Sequence, residues 1–118
     1  MANRPKLAML LVAWGCAASS SAQAEPSASY VMKQIDGGGK IELLILDAYS
    51  NGFEWANTDL KIKHEVPLFC APQSLAITPD QNASILRDVL RDKPALAEAP
   101  AGLAMLYALK QTFPCEAK

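Results

Sequence analysis

Through most of the chain, apolar residues recur three and four positions apart, the period of a helix packed on one side. The longest such run is Lys40 to His64. Ile41, Leu44, Ile45, Ala48, Tyr49, Gly52, Trp55 and Ala56 form a stripe, and Leu43 and Leu46 add bulk beside it. The pattern predicts a well-buried helix. Its stripe faces inward, Trp55 packs as core, and Gly52 marks a close helix crossing, since glycine otherwise weakens a helix. Asn57-Thr58-Asp59 then predicts a break or kink. Leu60, Ile62, His64 and Val66 alternate with Lys61, Lys63 and Glu65, so residues 57–68 stay open between helix and strand.

Shorter elements flank this run. Tyr30 to Ile35 predicts one or two helical turns, ended by Asp36-Gly37-Gly38-Gly39. Three glycines in a row are too costly in backbone entropy for a helix interior, so the run reads as a flexible connector. No strand precedes it and no Lys-Ser/Thr follows it, so it is not a phosphate loop. Pro67 to Ile77 predicts a loop. Thr78-Pro79-Asp80-Gln81 is a helix start: Thr78 caps, Pro79 suits the first helical position, and Gln81 completes a capping box. That helix runs to about Arg91 with Ala83, Leu86, Val89 and Leu90 on one face, and Lys93-Pro94 ends it. The last helix covers about Pro100 to Thr112. Leu103, Leu106, Tyr107 and Leu109 give its apolar face, with Ala104, Met105 and Ala108 beside them.

The start of the chain has a different pattern. Arg4 and Lys6 precede an unbroken apolar run, Leu7 to Ala18. Ser19 to Ser21 and the small-x-small triplet Ala22-Gln23-Ala24 follow. This is the layout of a secretory signal peptide, residues 1–24, cut between Ala24 and Glu25. The run is shorter than the ~20 residues a spanning helix needs. Cys16 after Gly15 suggests a lipidation site, but Trp14 is bulky where a small residue is wanted. Cleavage at Ala24 discards Cys16. The expected product is a periplasmic domain, residues 25–118, with no membrane attachment.

Composition narrows the function. The 118 residues are 51% hydrophobic and 19% charged, which fits one globular domain. A net charge of -1, more negative once Arg4 and Lys6 are gone, gives no electrostatic footprint for nucleic acid. Cys70 and Cys115 remain after leader removal, and an oxidising compartment predicts a disulfide between them. By chain entropy such a bond contributes about 4 kcal/mol before native strain. A catalytic cysteine is the rival reading, but His64 is the chain's one histidine and no third group is evident. Metal-ligand spacing is lacking, and nothing calls for a cofactor. The fold expected is all-α, a small bundle of three to five short helices closed by one disulfide.

Several motifs together resemble a known family. Phe69-Cys70-x-Pro72 is followed by a loop and the capped helix with Gln81. After the Lys93-Pro94 stop, an alanine-rich helix ends at Phe113-Pro114-Cys115. Upstream lies Tyr49-x-x-Gly52. Over residues 44–115 this resembles the Rap/Tai family of type VI secretion amidase immunity proteins. The resemblance implies a periplasmic helical antitoxin without catalysis of its own, often dimeric, that binds and inhibits a peptidoglycan amidase effector. Many relatives carry more cysteines in the first half; here Leu46 stands where one is often found.

Inhibition needs anchors rather than catalytic groups. Glu54, Trp55, Asn57 and Asp59 near the expected kink, and Asp92, Lys93 and Glu98 before the last helix, are the partner-binding candidates. The alternative function is a small periplasmic chaperone or stress protein of similar size. Acid-activated chaperones carry many groups titrating in the carboxylate range, and 12 acidic residues is an ordinary supply.

Overall fold

A computed structural model describes residues 24–116; the expected leader, with Cys16 and the expected cleavage motif up to Gln23, lies outside the described residues. Four α-helices follow one another: α1 (Ala28–Asp36), α2 (Lys40–Ile62), α3 (Pro79–Asp92) and α4 (Ala101–Thr112), with a 3₁₀ turn at Pro94–Glu98 between the last two. All four pack on one another, so the all-α expectation holds, although α2 at 23 residues is not short. The one bridge among the described residues pairs Ser27 with Pro100.

Local chemistry sets the helix ends. The Ser27 hydroxyl caps α1 by accepting from the Tyr30 amide, and Ala28, Val31 and Met32 form the buried side of that helix. The three glycines are a tight turn, not a flexible connector. The amides of Gly37, Gly38 and Gly39 donate back to Lys33, Ile35 and Gln34. Gly38 has φ 91°, and a Cβ on Gly39 would lie 2.7 Å from the Gln34 carbonyl oxygen. Only glycine fits there.

Helix α2 continues unbroken through Asn57-Thr58-Asp59, where a break or kink was expected, and ends in a Schellman motif. The Glu65 amide reaches the Leu60 carbonyl and the His64 amide reaches that of Lys61, with His64 in the left-handed region at φ 58°. Residues 57–62 are therefore helix; the alternation of Leu60, Ile62, His64 and Val66 finds no partner strand. Helix α3 begins as its sequence predicts. Thr78 Oγ1 accepts from the Gln81 amide, and Gln81 Oε1 accepts from the Thr78 amide.

The core holds Phe69, Leu46, Leu86, Met105 and Leu109, with alanines of α1, α3 and α4 between them. Helix α4 is turned from its expected phase. Ala101, Gly102, Ala104, Met105, Ala108 and Leu109 are buried, while Leu103 is exposed. Small side chains face inward because α4 packs against each of the other helices and needs close approach. Cys70 and Cys115 form the disulfide, with Cα atoms 4.9 Å apart. The Cys70 amide donates to the Phe113 carbonyl at 2.8 Å, so the loop before α3 and the chain's end are joined by two neighbouring links.

Candidate partner-binding surface

Helix α2 carries two apolar faces. The inner one runs through Leu43, Leu46, Ser50, Phe53, Asn57 and Leu60, alternating steps of three and four. Leu46, Ser50 and Asn57 are fully enclosed, and Leu43 and Phe53 pack against the core. The outer face is the stripe that the sequence pattern placed inside. Ile41, Leu44, Ile45 and Ile62 are exposed, and Trp55 is 76% exposed. Ala48 and Gly52 lie open between them. Gly52 marks no crossing within the chain: a Cβ there would meet nothing within 4 Å. Its lack of a side chain leaves a shallow notch beside Trp55. The inward reading failed because two apolar faces share one period, and the inner one includes polar Ser50 and Asn57.

Asn57 lies inside and serves the fold. Its Nδ2 donates to the Phe69 carbonyl at 2.9 Å, and its Oδ1 accepts from the Leu68 amide at 2.7 Å. The side chain thus takes the place of a strand partner for the loop that leads into Cys70. This holds Phe69 in the core.

The other candidates remain on the surface, in separate places. Trp55 and Asp59 lie on the outer face of α2. Asp59 pairs with Lys63 at 2.6 Å, an exposed i,i+4 pair of small energetic weight. Glu54 lines a polar cleft of about 390 Å³ between α2 and the loop 71–77, with Ser50, Asn51, Lys61 and Gln73. Asp92 and Lys93 precede the 3₁₀ turn and Glu98 is its last residue; the turn packs on α3 and α1. Lys93 donates to the Tyr107 hydroxyl and lies over its ring, while Glu98 accepts from the Ser29 hydroxyl. Of the family-motif residues, Phe69 is buried, Phe113 partly so, and Pro72 and Pro114 are exposed.

Tyr49 belongs to a contact that sequence reasoning missed. Glu25 Oε1 accepts from the Gly102 amide at 2.6 Å. The same side chain hydrogen-bonds Tyr49, and this carboxylate with partial burial pushes the phenol up to about 12. A Cβ on Gly102 would lie 2.8 Å from Glu25 Oε1 and 3.1 Å from the Tyr49 ring. Glu25 and Gly102 are 77 residues apart, and no local pattern links them.

Among the described residues, no group of three or more histidine, cysteine or carboxylate side chains could hold a metal ion. No described helix is long and apolar enough to cross a membrane. The distinctive surface feature is the outer face of α2. Contiguous exposed apolar area of this kind is the type of surface at which proteins, membranes or ligands are bound.

Comparison with known proteins agrees with a binding role. The family model of the Rap1a immunity proteins matches residues 9–115. No curated protein matches, and no solved structure matches.

Proposed function

Because the chain belongs to the Rap1a immunity protein family, we propose that it is a periplasmic antitoxin that binds and inhibits a peptidoglycan amidase effector of a type VI secretion system. The family match carries the immunity role against a secreted effector. The amidase target rests on the sequence motifs Tyr49-x-x-Gly52, Phe69-Cys70-x-Pro72 and Phe113-Pro114-Cys115. Export rests on the leader pattern of residues 1–24, and a disulfide-closed domain suits that compartment.

Inhibition of this kind is steric. A rigid scaffold occupies the enzyme's cleft and gives no scissile bond in return. Glu54 in the polar cleft and the group Asp92, Lys93 and Glu98 are the anchors proposed for the effector; Asp59 falls within the outer face of α2.

The outer face of α2 is assigned to a second copy of the chain. Its exposed apolar side chains offer on the order of 600 Å², close to the ~800 Å² per partner of a standard stable interface. An effector arrives only during attack, whereas a homodimer covers this face at all times. In an antiparallel α2 pair centred near Gly52, Ile41 meets the partner's Ile62, and Trp55 meets the partner's Ala48. The indole then opposes a small side chain.

The test is enzymatic. The purified periplasmic protein, titrated into the amidase encoded beside it, is expected to abolish peptidoglycan cleavage at a one-to-one ratio of chains. Undiminished cleavage at excess protein would sink the reading. Suppression of client aggregation at low pH, without amidase inhibition, would favour the chaperone instead.

A further inference from the structure

The disulfide does not lie inside the core that it closes. Phe69 is enclosed, but the next residue, Cys70, is exposed, and Cys115 is half-buried. Both cysteines line an open surface groove of about 760 Å³, with His64, Glu65, Pro67 and Glu116 among the other lining residues. A small molecule can reach the bond there without unfolding the chain. Thiol exchange is governed by such access, by which sulfur is attacked and by which one leaves.

The two sulfurs differ in all three respects. Cys70 is the more open residue, and it stands on a fixed loop. Its amide donates to the Phe113 carbonyl at 2.8 Å, and the Phe69 carbonyl accepts from Asn57 Nδ2 at 2.9 Å. Neither link involves sulfur, so Cys70 keeps its place when the bond opens. Cys115 Sγ instead lies 3.7 Å from the Pro67 carbonyl oxygen. That oxygen repels an anionic thiolate approaching Cys115, and it is ready to accept the S–H of a released Cys115 thiol. The carboxylates of Glu65 and Glu116, both exposed, share the groove and add to the repulsion of anions.

We propose that Cys70 is a thiol-exchange site, with Cys115 as the sulfur released, and that the groove favours cationic over anionic thiols. The incoming thiolate attacks Cys70 Sγ. A new sulfur–sulfur bond joins it to Cys70, and the Cys70–Cys115 bond breaks. The electron pair leaves on Cys115 Sγ, which takes a proton from water. The attacking thiol is oxidised to the disulfide level and Cys115 is reduced. Return attack by Cys115 on Cys70 expels the thiol and restores the bond. The neighbouring carboxylates favour the neutral thiol of Cys115 over its thiolate, which slows the return. None of this depends on the identity of the effector.

The test uses the folded, oxidised protein. It is exposed briefly to cysteamine at mildly alkaline pH, quenched with N-ethylmaleimide and mapped by mass spectrometry. Cysteamine on Cys70 with maleimide on Cys115 is expected to exceed the reverse pattern by about tenfold. Equal amounts, or an excess of the reverse, would overturn the assignment of Cys70. Opening that takes place only in unfolding concentrations of urea would overturn the exchange site itself. Glutathione, which carries net negative charge, is expected to react more slowly than cysteamine. In the double variant Glu65→Gln, Glu116→Gln this gap should narrow severalfold, since the two carboxylates are its cause. A gap that the double variant leaves unchanged would overturn the charge preference and leave Cys70 standing on the mapping result.

Discussion

Trp55 and Asn57 lie two residues apart on α2 and face opposite sides of the helix, the indole out in solvent and the amide in the core. Trp55 is 76% exposed and Asn57 is 2% exposed. Two residues turn a helix through about 200°, so both placements follow from one choice of phase. That choice is set by what each residue finds. Asn57 finds two backbone groups of the Leu68–Phe69 segment that no helix or strand would satisfy. Trp55 finds nothing within its own chain that needs it. The inversion of ordinary polarity makes the inside of α2 a binding site for the chain's own loop and leaves the outside as the face proposed above for a second copy.

Replacing Asn57 by alanine is expected to destabilise the fold by about 3 kcal/mol. The cost comes from two backbone groups left unpaired, at ~1–3 kcal/mol for each buried one. Asn57→Asp restores the acceptor for the Leu68 amide but sets a carboxylate against the Phe69 carbonyl, so it should rescue little. Urea unfolding of the two variants checks this. A loss below ~1 kcal/mol for Asn57→Ala would mean that water satisfies both groups and that the side chain does not hold the loop.

Trp55→Glu is expected to halve the molar mass seen by light scattering, with the helical signal nearly unchanged and a thermal midpoint that no longer depends on protein concentration. The substitution puts a charge at the centre of the proposed self-association face and removes little contact from the isolated fold, since Trp55 is 76% exposed. Gly52→Leu fills the notch beside Trp55 and should weaken the pair in the same way. A wild-type protein that is monomeric at micromolar concentration would end the assignment of this face to a second copy.

The fold was legible where its signals are local. The Thr78–Gln81 capping box, the Lys93-Pro94 stop and the joining of Cys70 to Cys115 follow from residue types at fixed offsets or from compartment. The phase of α2 was not legible. Ile41, Leu44, Ile45 and Trp55 outweigh Ser50 and Asn57 on any hydrophobicity count, and only tertiary contacts decide between faces of equal period. The phase of α4 was hidden for a related reason: close packing selected its alanines and Gly102 for the inside over the larger Leu103. The contact of Glu25 with Gly102 and Tyr49 joins three distant segments, and nothing in their spacing announces it.

His64→Gly is expected to stabilise the protein by ~0.5–1 kcal/mol. His64 sits at φ 58° in the position that closes the Schellman motif after α2. A side chain in the left-handed region costs roughly 1–2 kcal/mol, and part of the gain from glycine is offset by the greater freedom of the unfolded chain. The histidine ring is exposed, so little packing is lost. A thermal midpoint raised by several degrees is the expected readout. A lowered midpoint would show that the imidazole makes a contribution larger than the strain.

Alkaline titration isolates the Tyr49–Glu25 contact. The phenol of Tyr49 is raised from about 10 to about 12 by its hydrogen bond to Glu25, by partial burial and by the carboxylate's charge. A group whose folded value lies above its unfolded value stabilises the fold fully below the unfolded value. Its contribution fades as pH climbs toward the folded value. Stability should therefore be level with respect to Tyr49 up to pH ~10 and fall between pH ~10 and ~12. Because Tyr49 is only partly buried, solvent screening limits the loss to about 1 kcal/mol. Tyr49→Phe removes the titrating group and should flatten this part of the curve, at the cost of one hydrogen bond at neutral pH. Glu25→Gln keeps the phenol but removes the charge beside it, so the fall should still start near pH ~10 but end at lower pH and be smaller. Ultraviolet difference titration of tyrosinate follows the same proton directly. If the wild-type and Tyr49→Phe curves coincide above pH 10, the carboxylate does not hold the phenol in solution, and the contact of Glu25 with α2 is absent.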